Sequence, residues 1–439
     1  MALLNKGDKV KLTGKSGDVI VEEFLAEGMQ GEVYKVKYQG KHYALKYYKN
    51  VVNMATMRKI IQNNLEYGSP DKNFLWPLYI TEMDHEKKTF GYLMELYDSK
   101  KFKPLKLFRY SGRTGVCFAN FDALYTAAYN ICKSFRKLHL SGYAYLDVSD
   151  NNIIADPKTG EILICDCDNC IPSITHLNPG IKGTPGFMAP EVLMGKNKPN
   201  RTSDYFSLAV LLFELFYVDH PLEGKATLAR PLTDELGPKM FGEYATFVMK
   251  PGQNPNGPVP GKTDAVIERW NGNLFPLDAK ALFLHAFTTG LDARKRIPET
   301  EWIKMLVRMR GQTLVKETKT QFFNAYKPEN LPSNVYAAQC GNLRFILAGG
   351  SKIYQPQLEE GMTEIEAESK ESDSFYKVVG TVIESPKNKV LLGLRNDQEG
   401  TVWYVTVPGR KQETVSFREA ILISHGMKIM IQGKEVAVF

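Results

Sequence analysis

The sequence predicts an α+β fold in three parts: a lobe of short antiparallel strands, a larger helical lobe, and a separate small all-β sandwich. Three observations lead there. Residues 8–48 alternate apolar and polar positions in short runs, punctuated by Gly14, Gly17, Gly28, Gly31 and Gly40. From residue 121 apolar positions recur mostly with helical spacing. From about residue 340 the alternation expected of strands returns. At 439 residues the chain is also too long for one ordinary core.

The elements follow in order. The runs DKVKL, DVIVEEFL, GEVYKVKY and KHYALKYY predict short strands joined by tight turns. Between Met54 and Tyr67 the period changes, with Met57, Ile60, Ile61 and Leu65 on one helical face, and Gly68, Ser69 and Pro70 end the helix. Residues 74–83 and 89–97 return to strand character. Leu124 to Leu140 forms a long amphipathic helix, followed by a hairpin of Ile153–Ile154 and Glu161–Cys165 around the turn 156–160. Helices are expected at 204–217, 278–289 and 300–310, with a Pro- and Gly-rich loop at 250–262. Residues 313–335 read as a connector. The tail alternates through NLRFILAG, KVVGTVIE, KVLLGL, TVWYVTV, ETVSF, EAILI, MKIMIQ and KEVAVF, with an acidic, Ser-rich loop at 358–373.

Composition narrows the class. Hydrophobic residues make up 43% and charged residues 24% of the chain, as in soluble globular proteins. The net charge of +7 is mild for this length and does not point to nucleic acid. No apolar run is long enough to span a bilayer, and the N-terminus lacks a secretory core, so a cytoplasmic location is expected. Six cysteines do not make a disulfide framework.

Five stretches carry chemistry. Leu25 to Val33 places Gly28 and Gly31 in a turn where backbone amides can approach phosphate oxygens. Lys46, in YALK, supplies a point charge on the strand that follows. Asp147 and Asn152, five apart before a hairpin, suit a hydroxyl-orienting carboxylate and a neutral metal ligand. Asp166 ends the apolar strand ILIC, where a carboxylate needs a counter-ion such as magnesium. GTPGFMAPE, residues 183–191, is followed by Asp204 at the start of an apolar helix and by Arg296 in LDARKRIP.

This order and spacing resembles the protein kinase family over residues 18–310. The resemblance implies a bilobal fold with an N-lobe at 1–97 and a C-lobe at 98–311, a linker at 312–338 and the sandwich at 339–439. It implies that ATP lies against Leu25, Ala26, Gly28, Gly31, Val33, Ala44 and Lys46, with Met94 as gatekeeper and Glu95 and Leu96 as hinge. Asp147 is the implied catalytic base, and Asn152 and Asp166 are the implied Mg²⁺ ligands. Gly183, Thr184 and Glu191 fall in the activation segment, with Asp204 tying the catalytic loop to the core and Arg296 pairing with Glu191.

The chain departs from the family at several positions. Ala26 replaces the first loop glycine, Ser149 replaces a lysine that reaches the γ-phosphate, and Leu146 replaces an arginine that meets a phosphorylated loop. The metal motif reads Asp166-Cys167-Asp168, with Asp168 expected to be solvated or capping. The helix glutamate that pairs with the lysine is absent, leaving Glu66 or Asn63 as candidates.

Cys165, Cys167 and Cys170 read as small buried residues, since His176 is the only candidate fourth ligand for zinc nearby. The basic stretch 100–113 reads as a solvated edge. The tail resembles a forkhead-associated (FHA) sandwich in its HGMKIMIQG ending, but the phosphothreonine signature is not in place and Gly409-Arg410 sits in a late turn. A docking or autoregulatory module is the expectation. The resemblance implies an ATP- and Mg²⁺-dependent serine/threonine kinase with its own hydroxyls among the substrates. The alternative is a nucleotide-binding pseudokinase acting as a scaffold through the tail. A small-molecule kinase is disfavoured by the PGFMAPE segment. Neither a membrane nor nucleic acid is an expected partner, and the sequence does not identify the protein substrate.

Overall fold

The computed structural model describes residues 2–49, 51, 53–173, 183–229, 233, 235–272, 274–316, 319–323, 325–355 and 377–439. The chain divides into two compact units. One comprises Met1–Ala119, Ala127–Ile267 and Phe283–Thr300, and the other Asn120–Thr126, Glu268–Leu282 and Glu301–Phe439.

The first unit opens with a six-stranded antiparallel sheet of β1 (Lys9–Lys11), β2 (Asp18–Glu27), β3 (Gly31–Tyr38), β4 (Lys41–Tyr48), β5 (Tyr79–Ile80) and β6 (Gly91–Glu95), in the order β1-β2-β3-β4-β6-β5. Strand alternation sorts its side chains into two cores. Tyr43, Leu45 and Tyr47 of β4 join Val19, Val21, Tyr34 and Val36 on one face. Ala44 and Tyr48 join Tyr92 and Met94 of β6 on the other, against Met57 and Ile61 of helix α1 (Met54–Tyr67). Lys46 lies between Ala44 and Tyr48 on that second face. The α1 N-terminus is capped by Asn53, whose side chain accepts from the Thr56 amide at 3.0 Å, and the helix ends at Gly68.

The helical part contains Phe121–Leu140, Arg201–Tyr217, Leu277–Ala286 and Glu299–Gly311. Asn200 and Ser203 form a capping box that starts the apolar helix Arg201–Tyr217. Phe213 of that helix meets Phe247, Phe283 and Phe287 with ring centroids 5.4–5.6 Å apart. The expected hairpin forms as Ile153–Ala155 against Ile162–Ile164, with Lys158 and Thr159 donating to Asp156 in its turn.

In the second unit two antiparallel sheets share one core. The first runs Leu343–Ala348, Val335–Cys340, Lys434–Val438, Lys428–Ile431, Trp403–Thr406, Glu413–Val415. The second runs Lys352–Tyr354, Val378–Glu384, Leu392–Asn396, Ala420–Leu422. Phe345, Leu347, Val379, Leu394, Trp403 and Ile429 meet between them, so this is a sandwich. Arg310 pairs with Asp122, and its guanidinium stacks 3.6 Å from the Tyr354 ring centroid.

Three expectations change. Residues 74–83 contain only the two-residue strand β5, because Pro77 cannot donate to a ladder. The stretch read as connector carries a hairpin of Thr313–Lys316 and Lys319–Phe322, and the first sandwich strand already begins at Val335. Strands Val335–Cys340 and Lys352–Tyr354 were not among the eight expected. The acidic loop 358–373 lies outside the described residues.

Candidate active site

The turn between β2 and β3 is closed by the Gly28 amide donating to the Gly31 carbonyl at 2.8 Å. Ala26 continues β2 opposite Val33, past a bulge at Phe24, so its methyl group does not interrupt the strand. Gly31 is required for a different reason from the one its motif suggests: a Cβ there would lie 2.5 Å from the Tyr47 carbonyl oxygen, inside β4. Leu25 is exposed on β2. Val33, Ala44, Met94, Leu96, Leu163 and Cys165 belong to one apolar cluster. Ala44 faces Met94 across β4 and β6, and Glu95 faces Tyr43 at the end of β6.

Lys46 is buried and makes two ion pairs. Its Nζ donates to Asp166 Oδ1 at 3.1 Å and lies 3.0 Å from Oδ1 and 2.9 Å from Oδ2 of Asp168. Burial disfavours its charge, but the two carboxylates outweigh that and hold the ammonium above its ordinary pKa. This corrects the expectation that Asp168 is solvated or capping: it is 0% exposed, with Tyr48 Oη donating to Oδ2 at 2.8 Å and Tyr92 Oη to Oδ1 at 3.2 Å. The Asp166 side chain, by contrast, is 41% exposed.

Neither Glu66 nor Asn63 pairs with the lysine. Glu66 is exposed, and the α1 residue that turns inward is Asn64, whose Nδ2 donates to the Cys167 and Cys170 carbonyls, each at 3.2 Å. These bonds hold the short 3₁₀ turn Cys167–Asn169 that follows Asp166. Asp166 itself takes the left-handed conformation, φ 48° and ψ 47°, one that aspartate tolerates better than most residues.

Asp147 follows the strand Tyr143–Tyr145. Asn152 Nδ2 donates to Asp147 Oδ2 at 2.9 Å and to the Asp147 carbonyl at 2.8 Å, and Thr184 Oγ1 donates to Asp147 Oδ1 at 2.6 Å. Burial pushes the Asp147 carboxyl above the ordinary carboxylate range, against the pull of Thr184 and Asn152. Ser149 is buried, and its hydroxyl carries no charge in the place of the lysine that the resemblance implies. Gly183, at φ 85°, adopts a conformation that side chains disfavour.

Asp204 Oδ2 accepts from the Tyr145 amide at 2.8 Å and from His139 Nε2 at 2.9 Å, while His139 Nδ1 meets Glu299. His139 and Glu299 were missed by the sequence reasoning, which offered no signal beyond a histidine late in a helix. Burial pulls the imidazole's pKa down, but the two carboxylates outweigh it and lift it to about 9. Arg296 donates to both oxygens of Glu191, at 2.8 and 2.6 Å. Leu146 packs with Ile60 of α1 and Ile171.

The basic stretch is partly engaged: Arg109 pairs with Glu214 at 2.6 Å and Glu223 at 3.2 Å, and Lys101 pairs with Glu161. Cys167 and Cys170 are buried, and burial raises the pKa of all three clustered thiols. His176 lies outside the described residues. No described helix is long and apolar enough to cross a membrane.

A family model for the protein kinase domain matches residues 19–240. The serine/threonine-protein kinase nrc-2 of Neurospora crassa is 26% identical over 263 residues, covering 52% of this chain and 39% of that protein. A cAMP-dependent protein kinase, catalytic subunit-like, of Caenorhabditis elegans is 27% identical over 199 residues, covering 45% and 47%. Protein kinase C delta type of Rattus norvegicus is 28% identical over 212 residues, covering 46% and 30%. The chain spans less than half the length of each of these relatives.

Proposed function

The chain belongs to the protein kinase family, and from that premise we propose that it transfers the γ-phosphoryl group of ATP to serine and threonine hydroxyls, its own among them. The observation that carries the proposal is the convergence of two pairs: Lys46 with Asp166, 120 positions apart, and Asp147 with Asn152. Lys46 is suited to holding α/β-phosphates beside the turn at Gly28. Asp147, with a raised affinity for protons, is suited to orienting the acceptor hydroxyl and taking its proton.

The residues fit a magnesium ion. Asp166 offers an accessible carboxylate, and Asn152, whose amide nitrogen serves Asp147, has its amide oxygen left to offer. Such hard oxygen donors, few in number and completed by phosphate, are what Mg²⁺ takes. When bound, the ion neutralises phosphate charge. The protein's own contribution is positioning: Asn152 fixes Asp147, Asp204 fixes the chain entering the catalytic loop through the Tyr145 amide, and Glu191 with Arg296 braces the end of the activation segment.

The absence of a cation at Ser149 favours the second reading, a nucleotide-binding pseudokinase. The test is incubation of the purified chain with γ-labelled ATP and Mg²⁺, alone and with generic protein acceptors, followed by phosphoamino-acid analysis. Label on serine or threonine supports the kinase. ATP binding without transfer of label supports the scaffold. We further propose a cytoplasmic site of action. The sandwich is proposed to act in docking or autoregulation, a role supported by its own separate core. Gly409 and Arg410 lie in the exposed turn between Trp403–Thr406 and Glu413–Val415.

A further inference from the structure

We propose that Asp168 is the residue that positions Lys46, a task taken over by the metal-binding loop from helix α1. The inference rests on the proposed use of Lys46 to hold nucleotide phosphates. It is carried by the way three elements enclose one carboxylate. Tyr48 lies two residues beyond Lys46 on β4, hence on the same face of the strand, and Tyr92 lies directly opposite Lys46 on β6. Both hydroxyls therefore reach the point at which the lysine ends. The turn Cys167–Asn169 carries Asp168 into the space between them.

Each Asp168 oxygen takes one tyrosine hydroxyl, and both oxygens lie 2.9–3.0 Å from Lys46 Nζ. With no exposed surface, Asp168 has no route to solvent, and Lys46 is the cation that balances it. A buried carboxylate held by two donors keeps its geometry, so it fixes where the ammonium sits. The same enclosure argues against Asp168 as a metal ligand, since both of its oxygens already serve the lysine and the tyrosines. Asp166, the lysine's other partner, remains partly open to solvent.

Helix α1 keeps a supporting part. Asn64 holds the carbonyls of Cys167 and Cys170 and so keeps the turn in place, but it makes no contact with the lysine among the hydrogen bonds described. The lysine is held from below, by the loop that also carries Asp166, and its geometry does not depend on a charge presented by the helix.

The experiment compares the full-length chain with Asp168→Asn, measuring the binding of MgATP and of adenosine side by side. Asparagine keeps the shape and one acceptor oxygen, but it replaces the other oxygen with an N–H donor and removes the charge that holds the ammonium. ATP affinity should fall about tenfold, the size of one charge-assisted hydrogen bond, while adenosine affinity stays unchanged. Should Asp168→Asn not fold, the Tyr48→Phe/Tyr92→Phe pair removes the two hydroxyls that orient the carboxylate and should weaken ATP selectively in the same way. Equal weakening of ATP and adenosine, or no change in either, overturns the proposal. A wild-type chain that binds ATP but transfers no phosphate overturns the kinase reading while leaving this comparison intact. One that binds no ATP overturns both.

Discussion

His139 gives the fold a pH dependence that can be worked from its surroundings. The imidazole is completely buried between Asp204 and Glu299, and its pKa rises from the ordinary 6.5 to about 9 in the folded chain. The folded state therefore binds this proton more tightly than the unfolded state does. The resulting stabilisation is fully present below pH 6.5 and is lost as pH rises through about 9. At 1.36 kcal/mol per pH unit, the rise amounts to about 3 kcal/mol. Because Asp204 also holds the Tyr145 amide, the loss reaches the entry to the catalytic loop. The assay is urea unfolding from pH 6 to pH 9.5 for wild type and for His139→Gln, which removes the titrating group. Wild-type stability should decline across that window relative to the variant. If the variant does not fold, histidine-selective NMR of wild type reads the titration directly. Parallel pH profiles, or an imidazole midpoint near 6.5, would refute the reasoning.

Three further outcomes follow from the packing. Gly31→Ala must push β3 away from β4 at Tyr47 and should cost about 1–3 kcal/mol, whereas Gly28→Ala, whose Cβ would have 3.7 Å of clearance, should be nearly neutral in a thermal melt. Glu191→Gln takes away the charge that balances the buried Arg296 guanidinium and one of its two side-chain acceptors, leaving one amide oxygen with the Thr202 and Gly290 carbonyls, and should cost roughly 3 kcal/mol by denaturant titration. Because Leu146 meets Ile60 and Ile171 where the family resemblance implies an arginine, phosphatase-treated chain should retain its activity; loss of activity on treatment, restored by rephosphorylation, would contradict this.

Much of the site was legible because its residues are tied to chain order. Lys46 on β4, Asp147 and Asn152 before a hairpin, and Asp166 after an apolar strand stand out as candidates from order and spacing, and the fold brings Lys46 to Asp166 and Asn152 to Asp147. Asp168 as the lysine's partner does not stand out, since pairing across 122 positions leaves no periodic trace. A weaker signal was present: Tyr48 and Tyr92 each put a hydroxyl on an inward-facing strand position, and a buried tyrosine hydroxyl usually finds a partner. Helix α1 was visible from its apolar face, yet Asn64 was passed over because a buried asparagine breaks the apolar stripe that marks such a face. Val335–Cys340 escaped for a similar reason: VYAAQC is rich in small residues and alternates poorly, and it becomes a strand by pairing on both sides.

Asp147 and Asp166 are the two carboxylates proposed to serve phosphoryl transfer, Asp147 at the acceptor hydroxyl and Asp166 at the metal. Single-turnover transfer from γ-labelled ATP, measured beside ATP binding for wild type, Asp147→Ala and Asp166→Ala, tests these roles most directly. Wild type should transfer label, and both variants should lose at least about a hundredfold in rate, with Asp147→Ala still binding ATP. Transfer by Asp147→Ala at the wild-type rate would contradict the account.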